Sequence, residues 1–328
     1  MYKIAIVGLG LVAEKAHLPS FSKNKKVKIV CLCDKNIKRL KKFGKKYNVR
    51  NLQTSYKNLL KTSKLDAVVI STNKEVTSKI AKYFVHNKIP ILSEKPATLS
   101  VEDGLSMLKI SKKKNFIHMV GYMKRFDQGI IEIKKILKNK KLGELKSVYY
   151  ENFEGNSYKN PPKKVIKKLP TNKNKKFYFV KFLNSFCHSI NLLNYLFNKI
   201  ILTKSELNEI GEGICFFKSG KLKIIFKNKY LRINGWHEHM HLNFMNGKVL
   251  IRMPPPLQKN SYANIQITNF KNYKTKIVKL KKKNWSFKNQ ANAFVKLLST
   301  NIKSKEMCML NQSIEDIKLI KKIFSNIN

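Results

Sequence analysis

Along the first 120 positions, short apolar runs alternate with amphipathic stretches. Lys3–Val7, Lys28–Cys33, Ile89–Ser93 and Phe116–Val120 read as strands, and Asp66–Ser71 (DAVVIS) is a continuous apolar run of the kind that a parallel strand covered on both faces requires. Between them, Leu11–Ser22, Ile37–Tyr47, Thr77–Asn87 and Val101–Lys113 carry helical periodicity. Strand and helix in strict alternation predict a doubly wound parallel sheet.

Past Tyr122 the pattern changes. A helix is predicted over Ile130–Leu137 and an alternating strand over Leu145–Phe153. Residues 155–176 are polar, Pro-bearing and very basic, and read as a long loop. A helix follows from about Phe182 to Phe197. Seven strands are expected after it: Ile200–Glu206, Gly211–Phe217, Leu222–Lys227, Tyr230–Asn234, His237–Phe244, Lys248–Arg252 and Ile265–Asn269. Ser219-Gly220 and Asn246-Gly247 mark hairpin turns between antiparallel neighbours. Helices over Phe287–Ser299 and Ile314–Phe324 close the chain. The expected organisation is α/β: a Rossmann-type domain over 1–122, then an α+β domain over 123–328 with a large, mostly antiparallel, open-faced sheet.

The length of 328 residues agrees with two domains, and an apolar content of 43% excludes wholesale disorder. No apolar run approaches the 20 or so residues a membrane helix needs. The N-terminal MYKIAIVGLG reads as a first strand entering a turn, and not as a signal peptide. Five cysteines without a CxxC pair (Cys31, Cys33, Cys187, Cys215, Cys308) fit reduced thiols of a cytoplasmic protein.

Charge changes the picture less than its size suggests. The net charge is +49, yet of 68 basic residues only five are Arg and 63 are Lys, spread over every segment. Phosphate-gripping surfaces enlist Arg for its bidentate fork, and aromatics do not interleave with the basic residues as in a stacking platform. A nucleic-acid or membrane partner is not expected. A field of this sign still speeds the arrival of an anionic small molecule.

The candidate chemistry begins at Gly8-Leu9-Gly10-Leu11-Val12-Ala13, a GxGxxA run between the first strand and first helix. Gly8 permits a tight turn, Gly10 lets backbone approach a pyrophosphate, and small Ala13 lets helix and strand pack closely. The helix start at Leu11 and Val12 offers N–H groups to phosphate. Asp34 ends the second strand, where a carboxylate holds ribose hydroxyls and repels a 2′-phosphate, favouring NAD. Lys35, Lys38 and Arg39 just beyond it keep NADP open.

These motifs lead on to a wider resemblance. GLGLVA with His17-Leu18-Pro19, Asp34, DAVVIST with Thr72 and Asn73, Glu94-Lys95-Pro96, GYMKRFD (121–127), LGEL (142–145) and the Asn184-x-x-x-His188 helix together resemble the Gfo/Idh/MocA oxidoreductases, the glucose–fructose oxidoreductase and inositol dehydrogenase group. The resemblance implies an NAD(P)-dependent dehydrogenase or reductase acting on a secondary alcohol or ketone of a sugar, cyclitol or acidic or nucleotide-linked sugar. It gives Lys95 contact with the nicotinamide ribose and substrate hydroxyl, Glu94 a hold on the ribose, and His188 the role of acid/base, with Asn184 beside it. Tyr122, Arg125 and Asn191 become substrate-side residues. A homodimer or homotetramer through the second domain's sheet is also implied. Asn184 and Asn191 stand where the family usually has Asp, Phe177–Phe182 replaces a Gly-rich run, and Val76 occupies a later His position. These departures keep open a non-catalytic dinucleotide-binding sensor or scaffold of the same fold. His237, His239 and His241 alternate on one strand face. Side chains from a single strand point in parallel and do not converge on an ion, so no metal is expected and a sheet-face or subunit contact is.

Overall fold

The computed structural model describes residues 1–113, 116–155, 174–231, 235–280 and 285–327. The chain forms two compact units, Met1–Met123 with Phe287–Ile317, and Lys124–Ser286 with Lys318–Asn328.

The first unit runs β1 (Tyr2–Val7), a π-turn (Ala13–His17), α1 (Leu18–Ser22), β2 (Val27–Cys33), α2 (Ile37–Tyr47), β3 (Asn51–Gln53), α3 (Leu59–Thr62), β4 (Ala67–Ile70), α4 (Lys74–His86), β5 (Ile91–Ser93), α5 (Val101–Lys113) and β6 (His118–Val120). Among the described residues its strands pair in the order β3-β2-β1-β4-β5-β6, all parallel. This is the expected doubly wound order, with its switch point between β1 and β4. Ile4, Ala5, Ile6, Ala67, Val68, Val69 and Ile70 are fully buried, which explains their unbroken apolar runs.

The second unit begins in a 3₁₀ turn (Met123–Phe126) and continues with α6 (Gln128–Asn139), β7 (Leu145–Glu154), α7 (Lys175–Phe197), β8 (Ile201–Leu207), β9 (Gly213–Ser219), β10 (Leu222–Tyr230), β11 (Trp236–Phe244), β12 (Gly247–Arg252), β13 (Asn264–Asn269) and β14 (Thr275–Ile277). These strands form one sheet in the order β14-β13-β12-β11-β7-β10-β9-β8, antiparallel except between β7 and β10. Burial alternates along its centre. Val148, Tyr150, Asn152, Glu238, Met240 and Leu242 are buried, while Tyr149, Glu151, Phe153, His237, His239 and His241 are half-buried. Helix α7 lies on the buried face, with Phe186 5.2 Å from the Tyr230 ring and Ser189 Oγ accepting from Asn152 Nδ2 at 2.8 Å.

Helix α8 (Ser286–Thr300), β15 (Cys308–Met309) and α9 (Leu310–Ser325) follow. The sequence reading assigns all of 123–328 to one domain, whereas residues 287–317 lie in the first unit. There β15 pairs antiparallel with β6, and Phe294 meets Phe21 edge-on at 6.5 Å. Two further differences concern elements. The helix expected from Phe182 starts at Lys175, because the Asn174 side chain accepts from Phe177 N–H and caps it. The separate strand expected at Tyr230–Asn234 is not seen: β10 extends through Tyr230, and 232–234 lie outside the described residues, as do positions 156–173 of the basic loop. All five cysteines are free and buried, and among the described residues no helix is long and apolar enough to cross a membrane.

Candidate active site

The first unit gathers its candidate residues at the carboxyl ends of its parallel strands. β1 ends at Val7 and the chain turns at Gly8, whose N–H donates to Cys33 O at 2.8 Å. Gly8 has φ +88°, and a Cβ there would stand 2.4 Å from Ser71 O, so only glycine fits. At Gly10 the reverse holds: a Cβ would meet nothing within 4 Å, so the backbone borders open space. Gly10 O accepts from Glu14 N–H at 2.9 Å, placing Leu11 and Val12 in the first helical turn, where N–H groups have no intrahelical acceptor. Ala13 is fully buried, as close helix–strand packing requires.

Asp34 closes this turn from β2. Its Oδ2 accepts from Leu9 N–H at 2.7 Å and its Oδ1 from Asn36 N–H at 2.8 Å, so the carboxylate fixes the glycine turn as well as marking the strand end. Arg39, half exposed, stands 4.0 Å from it. From β4, Thr72 Oγ1 lies 3.1 Å from Thr77 Oγ1, and Asn73 precedes α4 with its carbonyl accepting from Thr77 Oγ1 at 3.0 Å.

β5 delivers Glu94 and Lys95, both half-buried, and the Lys95-Pro96 bond is cis. Here the structure adds a residue that the sequence reading noted in a motif without assigning it a role. The π-turn widens the first helix and ends on His17, whose Nε2 lies 2.8 Å from Glu94 Oε1. Single π-turns inside helices recur at functional sites. His17 is 3% exposed and meets Phe287 of α8 edge-on at 6.0 Å. A second unassigned residue, Gln290, is 1% exposed with neither amide atom hydrogen-bonded. A Cβ at Gly121 would stand 3.2 Å from Glu94 Oε1 and 3.3 Å from Gln290 Nε2, so both side chains end beside Gly121. Its signal in the sequence is an amide at i+3 from Phe287 on the buried face of α8, where an apolar residue would otherwise stand. A buried amide without a partner costs stability unless something supplies one.

Tyr122 is 1% exposed, with its hydroxyl 3.4 Å from Ser313 Oγ inside the first unit. In the second unit, Arg125 is 3% exposed, donates from Nε to Asn191 Oδ1 at 2.7 Å, and lies 4.9 Å over the Tyr195 ring. Asn191 is therefore committed to Arg125. His188 and Asn184 lie on the same α7 face one and two turns before Asn191, both half-buried.

A glycine turn at a switch point, a helix start behind it and an acid at the next strand end define a dinucleotide-binding Rossmann unit. Residues 2–122 match the Gfo/Idh/MocA family model, described as oxidoreductase family, NAD-binding Rossmann fold. The chain is 27% identical over 138 residues to an uncharacterized oxidoreductase, YrbE, of Bacillus subtilis, covering 42% of this chain and 40% of that protein. It is 24% identical over 166 residues to an inositol 2-dehydrogenase of Salmonella typhimurium, covering 48% and 49%. The chain thus spans about half the length of these curated relatives, or less. In fold it is similar to a crystal structure titled as a putative NADPH-dependent oxidoreductase from Desulfitobacterium hafniense, with TM-score 0.86, 12% identity, and coverage of 99% of this chain and 95% of that one.

Proposed function

We propose that the protein is an NAD(P)-dependent oxidoreductase that moves a hydride between the nicotinamide and a secondary alcohol or ketone of a sugar or cyclitol. The observation that carries this reading is the His17–Glu94 contact beside Lys95 at the end of β5, in the same row of strand ends as the glycine turn and Asp34. The open space at Gly10 and the unpaired Gln290 amide fit a dinucleotide lying along that row. Leu11 and Val12 N–H groups hold its phosphates, Asp34 the adenosine ribose, Thr72 and Asn73 the middle of the cleft, and Glu94 the second ribose.

When bound, the nicotinamide supplies the hydride donor or acceptor. Lys95 donates a hydrogen bond to the reacting oxygen and stabilises the alkoxide as its charge develops. His188 takes the hydroxyl proton during oxidation and returns it during reduction. Asn184 orients that imidazole by hydrogen bonding without adding the charge that an Asp would. Tyr122, Arg125 and Asn191 are the substrate-side residues of this reading. A surplus of 49 positive charges favours an acidic or nucleotide-linked sugar as the arriving molecule. A cytoplasmic location and a homo-oligomer assembled through the second unit's sheet complete this reading.

A second reading, a dinucleotide-binding sensor without turnover, is favoured by one observation: Asn184 and Asn191 leave the His188 face without a carboxylate, and Asn191 is tied to Arg125. Cofactor reduction and oxidation across a panel of sugars, cyclitols and sugar nucleotides separates the two. Turnover with any of them supports the enzyme, and tight NAD(H) binding with no turnover on the whole panel favours the sensor.

A further inference from the structure

The open face of the second unit's sheet carries a cluster that the proposed chemistry does not use. His237 and His239 alternate on β11, and the β7–β11 register sets Glu151 directly opposite His239. The sequence reading finds the alternating histidines but sees no convergence, because all three lie on one strand. The neighbouring strand supplies what was missing. Glu151 Oε2 lies 2.9 Å from His237 Nε2, and the His237 and His239 rings lean together with centroids 3.8 Å apart. One donor atom from each of Glu151, His237 and His239 lies within 4.8 Å of the other two.

We propose that Glu151, His237 and His239 form a binding site for a divalent transition-metal ion of the zinc class, clasping β7 to β11 across the middle of the sheet. The donor set is two imidazoles and one carboxylate, which suits zinc and its neighbours better than magnesium or calcium. A tetrahedral ion with bonds of about 2.0 Å needs donors roughly 3.3 Å apart. The His237–Glu151 separation is close to that, and the His239 donor completes a set whose members all lie within 4.8 Å of one another. Three protein donors leave a fourth position for a further ligand. The support around the donors is also in place: Tyr149 OH donates to Glu151 Oε1 at 2.9 Å, and Phe153 stacks on His237 at 4.8 Å.

The surroundings set the limits of the site. Burial, with His237 and Arg252 nearby, pushes His239 down to about 4, so it presents a neutral ring at neutral pH. Burial alone would raise Glu151, but hydrogen bonds from His237 and Tyr149 hold it below its ordinary value, so it is ionised. Against these, Lys227 pairs opposite Glu151 and Arg252 opposite His239, and both repel a cation. His241 faces the same side, opposite Tyr149, but lies outside the triad. The expected affinity is therefore below that of a four-ligand structural zinc site.

The test uses the full chain freed of metal and titrated with zinc chloride, with bound metal read by mass spectrometry after dialysis and the melting midpoint read in parallel. One equivalent bound, with a rise in melting midpoint, is expected for the wild type and for His241→Ala. His239→Ala and Glu151→Gln are expected to lose both, and circular dichroism shows whether they remain folded. Should either triad variant misfold, His237→Asn provides the third reading. The proposal is overturned if the wild type binds no zinc, or if folded triad variants bind it as the wild type does.

Discussion

The imidazole of His17, at the end of the π-turn, touches the carboxylate of Glu94 at the end of β5 with 2.8 Å between Nε2 and Oε1. One residue on from Glu94 stands Lys95. The contact joins the segment that begins at the glycine turn to the residues proposed to hold the second ribose (Glu94) and the substrate oxygen (Lys95), so each helps to place the other. His17→Ala removes that partner. Deleting a hydrogen bond to a carboxylate costs about 1.5–3 kcal/mol, so a rise in the NADH dissociation constant of about tenfold or more is expected, read by fluorescence titration. Unchanged affinity would remove His17 from the site.

Gly8 and Gly10 should separate folding from binding. At Gly8, φ is +88° and a Cβ would sit 2.4 Å from a backbone oxygen, so Gly8→Ala should lower stability by about 2 kcal/mol or more in urea unfolding. At Gly10 a Cβ projects into open space. Gly10→Ala should melt no lower than the wild type and yet bind NAD(H) more weakly, because the methyl group occupies the ground the pyrophosphate needs. A Gly10→Ala protein with wild-type affinity contradicts the placement of the dinucleotide.

Asp34 and Arg39 are proposed to bear on cofactor choice. Both Asp34 oxygens accept backbone N–H groups, so the carboxylate is pinned, whereas Arg39 is half exposed and 4.0 Å away. Of the basic residues just beyond Asp34, Arg39 offers a 2′-phosphate a bidentate guanidinium. Arg39→Ala should lower kcat/KM for NADP relative to NAD by roughly tenfold, the worth of one hydrogen bond between charged groups. Steady-state kinetics with both cofactors reads the ratio, and an unchanged ratio means that Arg39 has no part in the choice.

A pH effect on stability follows from His118, which is 1% exposed with Nε2 2.8 Å from Ser93 Oγ. Burial pushes its imidazole down to about 3 from an ordinary 6.5. Between those values the unfolded chain takes up a proton that the folded chain refuses. The neutral histidine's contribution is complete above pH 6.5 and is lost progressively as pH falls toward 3. From pH 7 to 5 the loss is about 2 kcal/mol, at about 1.4 kcal/mol per pH unit below 6.5. Urea unfolding of the wild type and His118→Asn at the two pH values should show a smaller drop in the variant by about that amount. Equal drops would show that His118 is protonated in the folded state.

Much of the first unit is legible in the chain because its strands are buried along their length: runs such as Ala67–Ile70 have no polar alternation to obscure them. Helices α2 and α5 end where their periodicity ends. What escapes are elements too short to carry a period, namely β3 and β14 at three residues and β15 at two. The start of α7 also escapes, since its signal is the cap Asn174 and not the aromatic run that follows. The glycine turn and Asp34 are visible as a motif. The His17–Glu94 contact, 77 residues apart, and the Glu151–His237 contact, 86 apart, depend on strand order and register, which local patterns do not encode. Gln290 is hidden for a different reason: a polar residue on a core face looks like an error until its neighbours are known.

Lys95 is proposed to handle the substrate oxygen in a hydride transfer while its neighbours hold the dinucleotide. The most direct measurement compares wild type and Lys95→Ala for NAD(H) binding by fluorescence titration, and for turnover on whichever sugar or cyclitol the wild type accepts. Largely preserved binding and a loss of turnover of about a hundredfold or more are expected in the variant. A Lys95→Ala protein that turns over at the wild-type rate would contradict it.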